Sequence, residues 1–281
     1  GFSIKQKSSR IRGSVKIISG AVILHNCVFK TLSMATIQVQ NDSIVQMKNC
    51  KVYGSKSPAL QALNKSQIEA FDTAFSNSTT TIINITNEAF ARFSNCAFNE
   101  SRNGGVVSSE SSFLLVENST FDHSMIEFRS DSSECFINNC TLGNDSLIKT
   151  NNNCSNISIT KNNLTNSTIQ IDGNSTSILN SNRYNNSSLI IRSTTTATVD
   201  NETFTGNVEY TIRVMENAKC SIKNSCLSSI TGLGIVSYGN CLLSIENCQF
   251  INISGNAIIG HSGCDVTISN ITFQSLVSAP I

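Results

Sequence analysis

Apolar residues recur along this chain in short alternating pairs, not in helical stripes or continuous runs. Alignment on one large apolar anchor places Phe29, Val52, Phe75, Phe98, Phe121, Leu142, Leu164, Tyr184, Phe204, Leu227, Phe250 and Phe273 in a single column, 20 to 23 residues apart. Five positions before each anchor stands an apolar residue in all twelve units, from Leu24 and Met47 to Ile245 and Ile268. Two positions earlier, Val22, Val45, Ile68 and their counterparts complete the period-two alternation of a strand with one buried face. Another strand follows each anchor, as in Ala35 to Val39, Ile82 to Ile85, Ile169 to Ile171 and Ala257 to Ile259. Such a unit is too short for a propeller blade and lacks the helical or Leu-rich signature of other solenoids. The pattern predicts an all-β fold, a right-handed parallel β-helix of about twelve coils with 20–23 residues per coil, forming one domain over residues 1–281. At about 4.8 Å per coil it would make a rod on the order of 58 Å long. The shorter units between Phe121 and Phe204 lose their residues mainly in the turn after the anchor.

Three positions before the anchor lies a column of Asn26, Asn49, Asn95, Asn118, Asn139, Asn201, Asn224, Asn247 and Asn270, interrupted by Asp72, Lys161 and Ser181. Asn tolerates the left-handed backbone conformation and hydrogen-bonds neighbouring peptides, so the column predicts a structural ladder at a tight corner. The next position holds Cys27, Cys50, Cys96, Cys140 and Cys248 beside Thr73, Ser119 and Ser225, a slot for small inward side chains. Glu202 falls in that slot. A buried carboxylate would have a raised pKa and could be functional, but a local bulge that turns Glu202 outward is the favoured expectation. Charges also align, as in Asp200, Lys223 and Glu246, in Asp42, Lys65 and Glu88, and in Glu69 and Arg92. Exposed pairs of this kind contribute about 0 to 1 kcal/mol each.

Composition narrows the class. The 281 residues include two Pro, no Trp and only 14% charged residues, with Asn, Ser and Thr abundant. No run of 18 apolar residues exists, so no membrane span is expected. Residues 1–68 hold ten Lys or Arg against one acid, Asp42. No Arg-rich cluster with interleaved aromatics accompanies that excess, so nucleic acid is not an expected partner. The chain opens at Gly1, and strand patterning reaches Val15 to Ile18 near one end and Val266 to Phe273 near the other. The expectation is a segment of a longer chain or an uncapped subunit, whose exposed edges would pair end to end with further domains or other copies.

Eleven Cys without a Cys-x-x-Cys pair, and only three His, argue against zinc. Cys27 with Cys50, and Cys241 with Cys264, each sit one coil apart, at a spacing of about 4.8 Å that lies inside the disulfide window of roughly 4.4 to 6.8 Å. Stacked side chains point the same way, which suits a disulfide dihedral poorly, so mostly reduced, buried thiols are favoured and bridges stay open.

The predicted fold resembles that of pectate lyases, polygalacturonases and phage tailspike depolymerases. That resemblance implies a polysaccharide groove with paired carboxylates, or clustered acids for calcium beside a basic residue. The visible acid columns alternate with Lys or Arg instead, and Gly260-His261-Ser262-Gly263 resembles only part of the polygalacturonase Gly-His-Gly motif. His25 and His123 have no evident partner, and neither a phosphate-binding Gly-rich loop nor an esterase elbow is present. No catalytic, cofactor-binding or metal-binding residue is assigned. The repeat style is similar to that of chlamydial polymorphic membrane proteins and related protist surface proteins. Cys96-Ala97-Phe98 followed by Gly104-Gly105-Val106-Val107, and Phe204-Thr205-Gly206-Asn207, look like that family's Gly-Gly-Ala-Ile and Phe-x-x-Asn signatures. This resemblance implies adhesion or surface display, with no catalytic residues to carry over.

Asn-x-Ser/Thr occurs eighteen times. Composition alone would give roughly half that number. The turn sites Asn64, Asn77, Asn99, Asn144, Asn166, Asn174, Asn186 and Asn252 are candidates for glycosylation, whereas a glycan on Asn118, Asn139, Asn201 or Asn270 would clash with the corner ladder. The expected function is a non-enzymatic, extracellular or surface-displayed β-helical adhesin, stalk or filament subunit, N-glycosylated, with cell-surface glycans or proteins as partners. A polysaccharide-binding or polysaccharide-cleaving β-helix is the alternative. It would gain from an exposed row among Tyr53, Tyr184, Tyr210 and Tyr238 with acids beside it, and lose if those residues were buried or dispersed. An intracellular protein-interaction scaffold is a third reading, which fits free thiols better than it fits the sequons.

Overall fold

A strand of three to five residues with one apolar face cannot bury that face alone, so each turn of this chain is covered by the same positions of the next. The computed structural model describes residues 3–5, 15–30, 36–53, 58–78, 80–129, 133–151, 153–206 and 209–276. Every regular element among them is a β-strand, and the strands wind into a parallel β-helix of about ten turns. The chain forms two compact units, residues 1–147 and 148–281.

In the first unit the strands before the corner, Ala21–His25, Ile44–Lys48, Gln67–Phe71, Phe90–Ser94, Phe113–Glu117 and Glu134–Asn138, pair in parallel and in strict register. The anchor strands Val28–Lys30, Lys51–Tyr53 and Ala74–Ser76 stack the same way and meet the longer Ala97–Ser108, which pairs with Thr120–Phe128. A third row runs through Val15–Ile17, Ile37–Val39, Leu60–Ala62 and Ile83–Ile85. The anchors form the core. Phe75, Phe98 and Phe121 stack at centroid distances of 5.2 and 4.5 Å, and Phe93 meets Phe75 and Phe98 edge-on at 5.7 and 5.6 Å. These rings are essentially removed from water, and offset stacks and edge contacts are the favourable aromatic geometries.

The second unit repeats the plan. Asn156–Thr160, Thr176–Asn180, Thr196–Asp200, Lys219–Lys223, Leu242–Glu246 and Asp265–Ser269 make its first row. The anchor strands run from Asn163–Thr165 to Thr272–Gln274, and the third row runs from Thr168–Ile171 through Ser188–Ile191, Tyr210–Met215 and Leu233–Tyr238 to Ile258–Gly260. Coil length is set in the turn after the anchor. Only Asn186 and Ser187 separate Arg183–Asn185 from Ser188–Ile191, whereas residues 252–257 separate Gln249–Ile251 from Ile258–Gly260.

All twelve ladder positions have positive φ, from 49° at Asn224 to 60° at Ser181, a conformation that costs other L-residues roughly 1–2 kcal/mol. The amides also stack. Asn49 Nδ2 donates to Asn26 Oδ1 at 2.7 Å, Asn139 to Asn118 at 2.7 Å, and Asn270 to Asn247 at 2.5 Å. In the inward slot beside this corner, a thiol or hydroxyl adds a hydrogen bond to the carbonyl two residues back, which from Lys48 onward already accepts a backbone N–H from the preceding coil. The thiols of Cys27, Cys50, Cys96, Cys140 and Cys248 donate to His25, Lys48, Ser94, Asn138 and Glu246 carbonyls at 3.3–3.5 Å. The hydroxyls of Thr73, Ser119 and Ser225 do the same. Burial pushes the Cys96 and Cys140 thiols up to about 12.

Two local expectations change. Glu69 and Arg92 share a column, but Arg92 reaches Glu117 at 3.1 Å and Glu69 accepts from Gln46 at 2.8 Å. The long guanidinium spans to the carboxylate at the strand's end, a choice that column position alone does not dictate. His123 does have a partner, with its Nδ1 lying 3.4 Å from Asp122 Oδ1. Gly105 has a steric reason to be glycine, because a Cβ there would lie 2.6 Å from the Met125 carbonyl oxygen. Gly206 combines φ of +103° with a Cβ position 2.8 Å from Asn186 N; its motif neighbour Asn207 lies outside the described residues.

Candidate functional site

The inward slot of the second unit holds Asn162, Asn182 and Glu202, each at most 1% exposed. Asn162 Nδ2 donates to Asn182 Oδ1 at 2.9 Å, and Asn182 Nδ2 donates to Glu202 Oε1 at 2.9 Å and to the Ile159 carbonyl at 2.8 Å. The expected outward bulge at Glu202 does not occur. Its backbone keeps strict register, with Cys226 N donating to the Glu202 carbonyl at 2.9 Å and Glu202 N donating to Ser225 Oγ at 3.2 Å. That leaves no extra residue to rotate the side chain out. Burial pushes the carboxyl up to about 8, against hydrogen bonds from Asn182 that pull it down, and Glu202 Oε2 and the Tyr184 hydroxyl are buried without a hydrogen-bond partner among the described residues. Tyr184 is itself buried, stacked on Phe204 at 4.2 Å, and its phenol is raised by burial and then by Glu202. A carboxyl sealed this far from solvent cannot meet a polymeric substrate. It belongs to the core.

The exposed chemistry lies along the outer edge of the third row. There Asp172, Arg192, Met215, Tyr238 and His261 occupy equivalent places on successive coils. Arg192 Nη2 approaches Asp172 Oδ2 at 2.6 Å. Ser193 Oγ lies 2.6 Å from Asp172 Oδ1 and 2.9 Å from Glu216 Oε2, and its single proton can serve one carboxylate at a time. Partial burial opposes ionisation of Asp172, but hydrogen bonds from Ser193 and Arg192 together hold its carboxyl below the usual range. Farther along, the Tyr238 and His261 rings stack at 4.4 Å with 12° between their planes. Arg213 lays its guanidinium 3.8 Å from the centroid of the Tyr210 ring, and hydrogen bonds to Glu209 and then Tyr238 raise the Tyr210 hydroxyl. Because the Tyr238 and His261 rings stack coil upon coil, they present their edges outward. The face therefore offers phenols, an imidazole, guanidiniums and carboxylates on an apolar backing.

Of the four Tyr, the structure brings Tyr210 and Tyr238 together and buries Tyr184, while Tyr53 belongs to the first unit. Hollows elsewhere are less differentiated. One of about 300 Å³ is floored by Thr196, Thr198, Ser221 and Leu242, and another of about 550 Å³ is lined by Ile23, His25, Lys48 and Phe71. Among the described residues no three His, Cys, Asp or Glu side chains gather as metal ligands would. The grouping of Asp172, Arg192, Ser193 and Glu216 was missed in the sequence. Its signal was available, since Asp172 and Arg192 share one coil position, and Ser193 and Glu216 the next, once the 20- and 23-residue spacings are carried into the turn after the third strand.

Of the glycosylation candidates, Asn64, Asn77, Asn144, Asn166, Asn174, Asn186 and Asn252 are exposed and Asn99 is half-buried. Asn144 Nδ2 donates to Asp122 and Asn186 Nδ2 to Asn166, both at 2.6 Å. Asn64 accepts from Asn87 at 3.0 Å. Corner geometry itself enriches the sequon pattern. The hydroxyls two residues after Asn64 and Asn144 are buried, with Ser66 accepting from Leu63 N at 2.9 Å and Ser146 donating to the Gly143 carbonyl at 2.6 Å.

The profile of the right-handed beta helix region matches residues 7–142 and 35–184, more than half of the chain. The chain belongs to the right-handed β-helix family. Among solved structures, this β-helix is similar to a mutant tailspike protein of E. coli bacteriophage HK620 in complex with a hexasaccharide. Identity is 9%, covering 95% of this chain and 70% of the tailspike, with a TM-score of 0.39. It is also similar to a mannuronic acid specific polysaccharide family 6 lyase from human gut microbiota, at 10% identity over 95% of this chain and 83% of the lyase, with a TM-score of 0.38. The siphovirus 9NA tailspike receptor binding domain matches at 8% identity over 96% and 76%, with a TM-score of 0.28. No curated protein matches the sequence. Likenesses this distant carry no function to the β-helix. Among the described residues no helix is long and apolar enough to cross a membrane.

Proposed function

We propose that this β-helix is a non-enzymatic, extracellular or surface-displayed adhesive module that binds glycans through the Tyr210, Tyr238 and His261 face of its second unit. The observation that carries the reading is the accessible Tyr238–His261 stack, joined through the Tyr210 hydroxyl to Glu209 and flanked by Arg213. The anchor rings from Phe29 to Phe250 are enclosed by the coils above and below. Tyr238 and His261, at the outer edge of the third row, stand with donors and acceptors beside them, a combination that suits a ligand with many hydroxyls on a partly apolar ring.

Binding is favoured over cleavage by the state of the acids. A retaining or inverting glycosidase needs one carboxyl kept protonated as the general acid. Asp172 is held low by Ser193 and Arg192, and the carboxyl raised to about 8 among the described residues, Glu202, is sealed in the core.

The test is affinity electrophoresis of the full chain in gels containing a panel of neutral and acidic polysaccharides, with Tyr238→Ala and His261→Ala alongside. At least one polysaccharide should retard the wild type, each variant should weaken that retardation tenfold or more, and no new reducing ends should appear on prolonged incubation. Equal retardation of wild type and variants, or of neither, would overturn the reading.

A further inference from the structure

Nine of the eleven free cysteines are buried, and Cys226 and Cys264 are half-buried. Their surroundings differ. In the Asn-corner column Cys27 and Cys50 are stacked one coil apart, yet both are 1% exposed and each thiol donates to a carbonyl of its own corner. At the other corner of the second unit the column reads Ala218, Cys241 and Cys264. Asp265 N donates to the Cys241 carbonyl at 2.9 Å, which fixes the two turns in register. Cys241 Sγ meets Cys264 Sγ at 3.2 Å, and Cys264 Sγ also donates to the Gly239 carbonyl at 3.0 Å. Cys241 is fully buried beneath its partner.

We propose that Cys241 and Cys264 form a redox-active dithiol that closes to an intrachain disulfide by exchange with a small external disulfide. Neighbouring positions on parallel coils stand about 4.8 Å apart, inside the roughly 4.4 to 6.8 Å that a disulfide requires. The sulfurs, already in contact at 3.2 Å, must close to about 2.05 Å and rotate to the roughly ±85–100° dihedral of a disulfide, a movement that the turn at 261–264 has to supply. Exposure sets the order of events. Cys264 loses its proton to solvent, and its thiolate attacks one sulfur of oxidised glutathione, breaking that disulfide and releasing one glutathione thiolate. Cys241 then gives up its proton and attacks the Cys264 sulfur, expelling the second glutathione. Two protein thiols are oxidised and one external disulfide is reduced to two thiols. Cys241 cannot begin the sequence, since it is enclosed and burial, then the Cys264 sulfur, pushes its thiol up to about 11.

The bond would clamp the turn at 261–264 to the coil before it. Cys264 N donates to the His261 carbonyl at 3.2 Å, so the same clamp would steady the backbone that carries His261. This inference stands on the thiol geometry and does not require that the face bind glycans.

The full chain is incubated with oxidised glutathione, quenched with an alkylating agent, and mapped by peptide mass spectrometry. The wild type should yield a peptide pair joined through Cys241 and Cys264, with the other nine cysteines alkylated after unfolding. Cys241→Ser should stop at a glutathione adduct on Cys264, and Cys264→Ser should give neither adduct nor bridge at Cys241. Retention of both thiols in the wild type, a bridge between Cys27 and Cys50 in its place, or an adduct on Cys241 in Cys264→Ser would overturn the proposal. The wild-type measurement decides even if a serine variant fails to fold.

Discussion

The first unit fills the slot beside the Asn corner with Cys27, Cys50, Thr73, Cys96, Ser119 and Cys140, whereas the opening coils of the second unit fill it with Asn162, Asn182 and Glu202. The backbone is the same in both, with positive φ at the residue before. A short thiol or hydroxyl bonds to backbone, to the carbonyl of its own corner and to the coil before it, as Cys96 Sγ does at the Ala70 carbonyl at 3.4 Å and Ser119 Oγ does in accepting from Cys96 N at 3.0 Å. The longer amides and carboxyl reach along the stack and satisfy one another. Substitutions in the first arrangement should therefore stay local, while those in the second should spread to neighbouring coils.

The largest expected effect is the pH dependence carried by Glu202. Its carboxyl is raised from 4.5 to about 8 in the folded chain, so folding takes up a proton between those values. The stabilisation is fully present below pH 4.5, drains as pH rises, and is gone above pH 8. Such a shift corresponds to a loss on the order of 4–5 kcal/mol. Glu202→Gln keeps the shape of the protonated acid and should flatten this slope, so that the variant is the more stable protein at high pH. Denaturant midpoints across the pH range measure it, and parallel curves for the two proteins would show that the carboxyl is not sealed.

Next in size is Asn182→Ala, which strips partners from Asn162, Glu202 and the Ile159 carbonyl at once. It should cost about 3 kcal/mol. The matching change in the first unit, Cys96→Ser, should cost less than about 1 kcal/mol, because a hydroxyl can donate to the Ser94 carbonyl as the thiol does. Urea midpoints that shift equally for the two would erase the contrast. Smaller again is the corner itself. Asn49→Ala puts at φ 52° a residue without asparagine's tolerance of the left-handed region and loses the bond to Asn26, for about 1–2 kcal/mol. Asn49→Gly should recover the backbone part. The smallest energetic effect belongs to glycosylation. In secreted material the exposed Asn77, Asn174 and Asn252 should carry glycans, and Asn139 and Asn270, whose amide nitrogens are spent in the ladder, should not. Glycopeptide mass spectrometry reads this directly.

Much of the fold was legible because each anchor recurs at a nearly constant interval and parallel coils place like positions over like. The candidate face was far less so. Tyr238 and His261 stand 23 residues apart, but so do many pairs with no shared role, and only the stack distinguishes them. Glu202 misled for a related reason. Its type argued for an outward turn, while its position argued for the core, and the enclosing amide of Asn182 that makes burial tolerable lies one coil away.

The amino-acid order by itself determined the strands, the coil length and the corners, since alternation and positive φ are settled within a few residues of backbone. Tertiary structure alone decided that Arg92 passes over Glu69 for Glu117, that Cys241 meets Cys264 while Cys27 and Cys50 donate to backbone carbonyls, and that Asp172 and Glu216 share one serine. Each of those outcomes depends on the reach of a side chain between coils, and reach is a property of the stack, not of any one coil.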